Sequence, residues 1–293
     1  MAAWHGKTRG GLTGYKIFIF TIETFGVKSA YFILAFVSFY YLFAAPYASR
    51  SLYFYYRSIH GYSLPKAVIS IYKTYYVYGQ TIIDKICIGA GKRFDYTYTF
   101  DGKENLVELA KSGGMIYSAH HGNWDVAGFL LDEINMKSNI LMFQQEHENI
   151  SQYLKTIMKH IDMQIIPISM DMSHVFKINA KLNQGEVICA LGDRFIEGSR
   201  TVKRTFLGRE AWFPLGIFTI AAKKKIPYTF AFAYRQKNMC YALSATPIKV
   251  NDSAESILDE YLEIIEKKIE KYPLQWFNFY DFWSQEPVGA SKQ

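Results

Sequence analysis

Cysteine is scarce, and the three that occur, Cys87, Cys189 and Cys240, stand alone, without the close pairs that a metal knuckle or a redox motif needs. They read as reduced core thiols in a protein facing the cytosol. No Gly-x-Ser-x-Gly elbow is present, which argues against a serine lipase, and no cysteine neighbours a motif, which argues against a thiol nucleophile. The helix-borne His-Glu-x-x-His signature of zinc hydrolases is missing. Zinc-finger, basic-zipper and RNP-like patterns are missing too, so no nucleic-acid partner is expected. Low-complexity, Pro-rich or Ser-rich linkers do not interrupt the chain, and it reads as one catalytic domain with an N-terminal appendage.

What is present is apolar and basic. Half of the residues are hydrophobic and 17% are aromatic, with 23 Tyr and 22 Phe, enough for a large core. A formal net charge of +7 suits an acidic partner, either an anionic membrane surface or an acidic carrier protein.

Charge is absent altogether between Ser29 and Ser49, a run of 21 residues against the roughly 20 that span hydrocarbon. Lys28 and Arg50 bracket it, Tyr31, Tyr40, Tyr41 and Tyr47 supply rings that favour the interface, and Pro46 ends or bends the helix. The run starts late and lacks a clear cleavage site, so it reads as a retained segment and not a signal peptide. Upstream, Tyr15 to Phe25 is apolar but carries Lys16 and Glu23, as an interfacial helix does. The competing reading is a buried helix of a soluble protein. The expected organisation is an anchor over 1–50 and a catalytic domain over 51–293, the latter led by a helical segment 51–92.

From about residue 95 the pattern alternates short β-rich runs with amphipathic helices. Strands are predicted at Tyr96–Phe100, Met115–Ala119, Asn139–Phe143, Gln164–Ile168, Val187–Leu191, Tyr228–Ala233 and Tyr241–Ala245. Helices are predicted at 103–112, 123–134, 148–160, 173–184, 214–224 and 254–271. Such alternation predicts an α/β fold with a mainly parallel central sheet flanked by helices, and ligands at the carboxyl ends of its strands. Two strand ends carry polar clusters, His120-His121-Gly122-Asn123-Trp124-Asp125 and Gly192-Asp193-Arg194, and the chemistry is expected there.

His120 follows an apolar strand, and Asp125 lies five positions on, in the first turn of the next helix. A carboxylate at a helix N-terminus stays ionised and can hold one imidazole nitrogen, leaving the other as the acceptor a general base requires. Asp193 and Arg194 can anchor a substrate, and Arg194 can stabilise developing negative charge, although an ion pair between loops is the plainer alternative. The stretch Arg200, Lys203, Arg204, Arg209, interleaved with Phe206 and Trp212, can meet lipid headgroups or an acidic carrier.

HHGNWD resembles the H-x4-D/E signature of glycerolipid acyltransferases and of the late acyltransferases of lipid A synthesis, and its Gly-Asn-Trp infill points to the second branch. Gly192-Asp193-Arg194-Phe195, the run Phe206-Leu207-Gly208-Arg209-Glu210-Ala211-Trp212-Phe213-Pro214-Leu215-Gly216, and Tyr272-Pro273-Leu274-Gln275-Trp276 resemble that branch's later blocks. The ordered set is far more specific than H-x4-D alone. Resemblance implies an enzyme at the cytoplasmic face of a bacterial inner membrane that moves a fatty acyl group from acyl carrier protein, or from coenzyme A, to a lipid acceptor without a cofactor or a metal. It also implies His120 as base with Asp125 as its partner, and donor, acceptor or oxyanion contacts from Asn123, Glu146, Asp193, Arg194 and Arg204. One departure stands out: Gln145 occupies the place where that branch usually has an Arg suited to phosphate. The chain in this respect resembles divergent Bacteroidetes-type members, and the acceptor opens to another envelope lipid, with Glu146 a candidate contact for its amine or hydroxyl. Two competing readings are a metal-dependent hydrolase using His120, His121, Asp125, His147 and Asp193, and a non-catalytic membrane adaptor that retains the fold.

Overall fold

A computed structural model describes residues 11–91, 96–132, 136–142, 164–169, 173–196 and 198–287. The chain divides into two compact units: Met1–Asp95 with Gln145–Ile161 and Leu274–Asp281, and Tyr96–Gln144 with Asp162–Pro273 and Phe282–Gln293.

The described part of the first unit is helical. Gly26, at a φ of 82° that favours glycine, separates α1 (Leu12–Phe25) from α2 (Val27–Ala44). Pro46 takes the first position of α3 (Pro46–Phe54), where its missing N–H costs nothing, so the uncharged run forms an 18-residue helix and then starts another. A π-helical turn at Tyr55–Ile59 follows, then α4 (Leu64–Gly89). α2 turns Val27, Ala30, Tyr31, Leu34 and Ser38 inward at helical spacing, and the Tyr31 hydroxyl donates to the buried Asp84 on α4. Its opposite face shows Phe32, Phe36, Phe39, Tyr40 and Phe43 to the outside. By length and composition α2 can cross a membrane. Aromatics from the 274–281 segment complete this unit: Phe279 stacks on Tyr75 and Trp276 packs on Tyr55.

The second unit is the expected α/β layer structure. Its strands β1 (Thr97–Asp101), β2 (Gly114–Ser118), β3 (Ser138–Met142), β4 (Gln164–Pro167), β5 (Val187–Leu191), β8 (Tyr228–Arg235) and β9 (Cys240–Ala245) form one sheet in the order β1-β9-β8-β2-β5-β3-β4. All neighbours are parallel except β8 and β9, an antiparallel pair. β2 is buried along nearly its whole length and β8 likewise, as central strands covered on both faces must be. Its described helices are α5 (Lys103–Ser112), α6 (Trp124–Asp132), α7 (Ser173–Asn183), α8 (Gly216–Lys224) and α9 (Ala254–Lys271). Leu106 and Leu109 of α5 pack with Ile116, Val187 and Ala231 in the core beneath.

Lys203, Arg204 and Arg209 of the basic stretch lie on a separate two-stranded hairpin, β6 (Thr201–Phe206) and β7 (Arg209–Pro214). Leu207 and Gly208, both at positive φ, make the two-residue turn that matches strand twist. The alternation of Val202, Arg204 and Phe206 with Lys203 and Thr205 is a strand pattern that the basic side chains obscure. The predicted helix 148–160, with Gln145, Glu146 and His147 before it, lies outside the described residues.

Candidate functional site

β2 and β5 are adjacent parallel strands whose register pairs Ser118 with Leu191. Continued two residues past both strand ends, that register sets His120 beside Asp193. The His120 backbone N–H donates to Asp193 Oδ2 at 3.1 Å, and His120 Nδ1 lies 2.9 Å from Asp193 Oδ1. A carboxylate offers only acceptors, so Nδ1 carries the proton and Nε2 is left with its lone pair. The His120 side chain is 26% exposed and that of Asp193 3%, so an incoming group can reach the imidazole but not the acid behind it.

Charges around the pair keep it in a base-competent state. Burial pushes the His120 pKa down, the Arg194 guanidinium pushes it further, and Asp193 and then Asp125 oppose them, with a net lowering. Burial pushes the Asp193 carboxyl up, but the neighbouring imidazole and Arg194 outweigh it and hold it below the ordinary value. Asp125 sits half-buried in the first turn of α6, where the helix dipole favours its charge, and that charge reaches His120.

The turn between His120 and α6 is tied residue by residue. His121 is buried, with Nε2 3.0 Å from the Tyr272 carbonyl and Nδ1 3.0 Å from the Tyr234 hydroxyl. The carbonyl can only accept, so Nε2–H donates to it and the Tyr234 hydroxyl donates to Nδ1. Burial pushes the His121 pKa down to about 4, and this ring stays neutral. Gly122 has a φ of 81°, and a Cβ there would lie 2.2 Å from the Ala233 carbonyl oxygen, so only glycine fits. Asn123 donates its N–H to that carbonyl at 2.8 Å, caps α6 through its side-chain oxygen at Val126 N, and donates from Nδ2 to the Tyr241 hydroxyl.

Tyr261 of α9, absent from the candidates read in the sequence, braces both strand ends. Its hydroxyl accepts from Gly192 N at 3.1 Å and donates to the Ser118 carbonyl at 2.7 Å. Its ring and that of Phe218 stand where a Cβ on Gly192 would go, at 2.8 Å each. In the sequence Tyr261 is one apolar position of an amphipathic helix, and nothing marks it off from Leu258 or Ile265.

Arg204 is engaged elsewhere. Its Nε donates to Asp259 at 2.7 Å and its Nη2 to Glu255 at 2.5 Å, both on α9. Glu146 is not among the described residues. Among the described residues no group of three His, Cys, Asp or Glu side chains is placed to hold a metal ion.

Against the sheet and beneath α6 lies an apolar cavity of about 50 Å³, lined by Ile116, Ile140, Ala127, Gly128 and Phe232 among others, and by Ser118 and Trp124, which flank the His120 turn. Cys189 also lines it, and burial pushes its thiol up to about 12, far from the thiolate a nucleophile needs.

Residues 66–285 match the family model described as bacterial lipid A biosynthesis acyltransferase. The chain belongs to that family. Membership makes it a lipid acyltransferase that works on a lipid acceptor. Among solved structures this acyltransferase is similar to the 1-acyl-sn-glycerophosphate (LPA) acyltransferase PlsC from Thermotoga maritima, at 14% identity and a TM-score of 0.42, over 83% of this chain and 97% of that one. Comparison with curated protein sequences gives no match.

Proposed function

We propose that the protein transfers a fatty acyl group from a carrier thioester, acyl carrier protein before coenzyme A, to a hydroxyl or amine of a bacterial envelope lipid, with His120 as general base. The observation that carries this reading is the His120 imidazole: partly accessible, neutral near pH 7, and presenting an unprotonated Nε2 because Nδ1 faces a buried carboxylate. Nε2 takes the proton of the acceptor hydroxyl or amine as its oxygen or nitrogen attacks the thioester carbonyl. The tetrahedral oxyanion is stabilised by the Arg194 guanidinium. Its collapse breaks the carbon–sulfur bond, and the departing thiolate takes the proton back from His120, so the enzyme ends as it began. Asp125 favours the imidazolium through its charge. The Arg204 guanidinium pairs with Glu255 and Asp259, and this reading gives it no step in the transfer.

A net charge of +7 favours an acidic carrier. The outward aromatic face of α2 favours attachment to a membrane, with the active site on the cytoplasmic side of the inner membrane, where acyl carrier protein is found.

The test is lipid mass spectrometry of a deletion strain complemented with wild-type or His120→Ala protein. One acylated envelope lipid is expected to vanish on deletion, return with the wild type and stay absent with the variant. An unchanged lipid profile in all three strains would sink the proposal, and restoration by His120→Ala would leave only the adaptor reading.

A further inference from the structure

We propose that His121 is a positioning residue for the base: its ring ties the turn that carries His120 to β8 and to the end of α9. The inference rests on His120 being the base of the acyl transfer above.

Strand order makes a clasp of the two consecutive histidines. β2 lies between β8 and β5. Past its end, His120 meets Asp193 from the β5 side, with Nδ1 2.9 Å from Oδ1, while His121 meets Tyr234 of β8, with Nδ1 3.0 Å from the hydroxyl. The turn is therefore held from both flanks. Gly122 and Asn123 also meet β8, at the Ala233 carbonyl, and fix the far end of the turn. His121 fixes the residue bonded directly to the base.

Both ring nitrogens of His121 are used. Nε2–H donates to the Tyr272 carbonyl at 3.0 Å and Nδ1 accepts from the Tyr234 hydroxyl, so a ring flip would break both bonds together. The two partners are themselves joined, because the Tyr234 and Tyr272 rings stack with centroids 4.2 Å apart and planes within 12°. Lys268 of α9 stands 5.7 Å from the Tyr234 ring centroid and donates to Ser244 of β9 at 2.9 Å. β8, β9 and the end of α9 thus make one footing, and His121, 1% exposed, is set into it away from competing water. Proton transfer is sensitive to placement, and a displacement of about 1 Å at the base can cost on the order of 10²-fold in rate.

The test measures apparent kcat and KM with full-length protein in detergent micelles. Radiolabelled palmitoyl-acyl carrier protein is the donor and the total lipid extract of the deletion strain is the acceptor. His121→Leu offers neither donor nor acceptor, whereas His121→Gln carries one of each on its amide. His121→Leu is expected to lose kcat by about 10–100-fold with KM for the thioester changed by less than about threefold, and His121→Gln to recover kcat to within about threefold of the wild type. Tyr234→Phe, which removes one of the two bonds, should lower kcat by about three- to tenfold. A side chain that only stabilised the fold would lower the melt of these variants and leave the kcat of the folded protein unchanged. A folded His121→Leu with kcat within about twofold of the wild type overturns the proposal, as does a His121→Gln no better than His121→Leu. If His121→Leu does not fold, Tyr234→Phe decides, and a kcat within about twofold of the wild type there overturns the proposal. His120→Ala runs alongside. Its full activity would sink the reading of His120 as base, whereas its inactivity beside a fully active His121→Leu would remove the positioning role alone.

Discussion

Two polar blocks, His120–Asp125 with Asp193–Arg194 and the basic hairpin Thr201–Phe206/Arg209–Pro214, carry similar residue types but spend them differently. In the first, parallel neighbours β2 and β5 end level, so polar side chains that leave both strands meet one another: His120 on Asp193, with Arg194 close enough to shift both. In the second, an antiparallel pair stands apart from the central sheet, and its charges pair with surface carboxylates: Arg204 with Glu255 and Asp259, Lys203 with Glu210. Chemistry follows from convergence at a sheet's carboxyl edge more than from residue type. A buried acid beside a partly open imidazole is a strong, directional pair, whereas exposed ion pairs are screened and individually weak.

The sharpest way to break that comparison is to remove the convergent imidazole. His120→Ala is expected to lower kcat by about 10²–10⁴-fold and to lower the thermal melt as well, since it leaves the buried Asp193 carboxylate without its imidazole partner. Steady-state kinetics on purified protein check it, and a loss under tenfold would put the base elsewhere. The pH profile should share the cause. His120 acts as a base only when neutral, and its pKa is lowered, so activity should hold below the usual histidine midpoint and fall only at more acid pH. A midpoint above 6.5 would contradict the burial and the Arg194 charge held responsible.

His121 tests the same turn through stability. Its pKa is pushed from 6.5 to about 4 in the folded chain. Between those values the unfolded chain binds a proton that the folded one refuses, so stability is full above pH 6.5 and falls as pH drops towards 4. For a ring 1% exposed this amounts to about 3 kcal/mol, an order-of-magnitude figure. His121→Gln keeps a donor for the Tyr272 carbonyl and an acceptor for the Tyr234 hydroxyl but does not titrate. Denaturant unfolding at pH 7 and pH 4 should therefore show the wild type losing that much more than the variant. Equal losses would mean that His121 is not the buried neutral ring described.

Tyr261→Phe probes the brace behind the pair. It removes one of the two acceptors of Gly192 N, which also donates to the Ser118 carbonyl at 3.0 Å, and one of that carbonyl's two donors, at an expected cost of about 0.5–1.5 kcal/mol in unfolding free energy. A stability equal to the wild type would show that the strand ends do not depend on that hydroxyl. Tyr261 also marks where sequence reading stops. Val187–Leu191 and the helices at 103–112 and 254–271 were legible to the residue, because a covered strand is a short apolar run and an amphipathic helix repeats every 3.6 residues. His120 and Asp125 could be read together because only a glycine turn separates the strand end from the first turn of α6. The contact of His120 with Asp193 was not, since it needs β5 to lie beside β2 with β3 and β4 beyond it, an arrangement that no local spacing encodes. Tyr261 was hidden because its hydroxyl does the bracing while its ring obeys the ordinary core pattern. The hairpin was hidden because Lys203, Arg204 and Arg209 looked like a surface for anions before they could be seen as strand residues, Lys203 and Arg204 with carboxylate partners.

The smallest expected effect belongs to that hairpin. Arg204 is 24% exposed, but Glu255 and Asp259 are 56% and 55% exposed, so solvent screens both pairs. The hydrogen bond to Asp259, then that to Glu255, raises the Arg204 pKa, yet a guanidinium is charged at any working pH and the shift adds no pH dependence. Arg204→Ala should therefore cost no more than about 1 kcal/mol, including the packing lost with its stem. Reversing the partners in Glu255→Lys/Asp259→Lys should cost somewhat more, because three cations then face one another on α9 and β6. Neither change touches the His120 pair, so kcat is expected to stay within about twofold of the wild type. A tenfold rise in KM for the carrier thioester in Arg204→Ala alone would dissolve the contrast, because the hairpin's charges would then belong to the substrate as well as to α9.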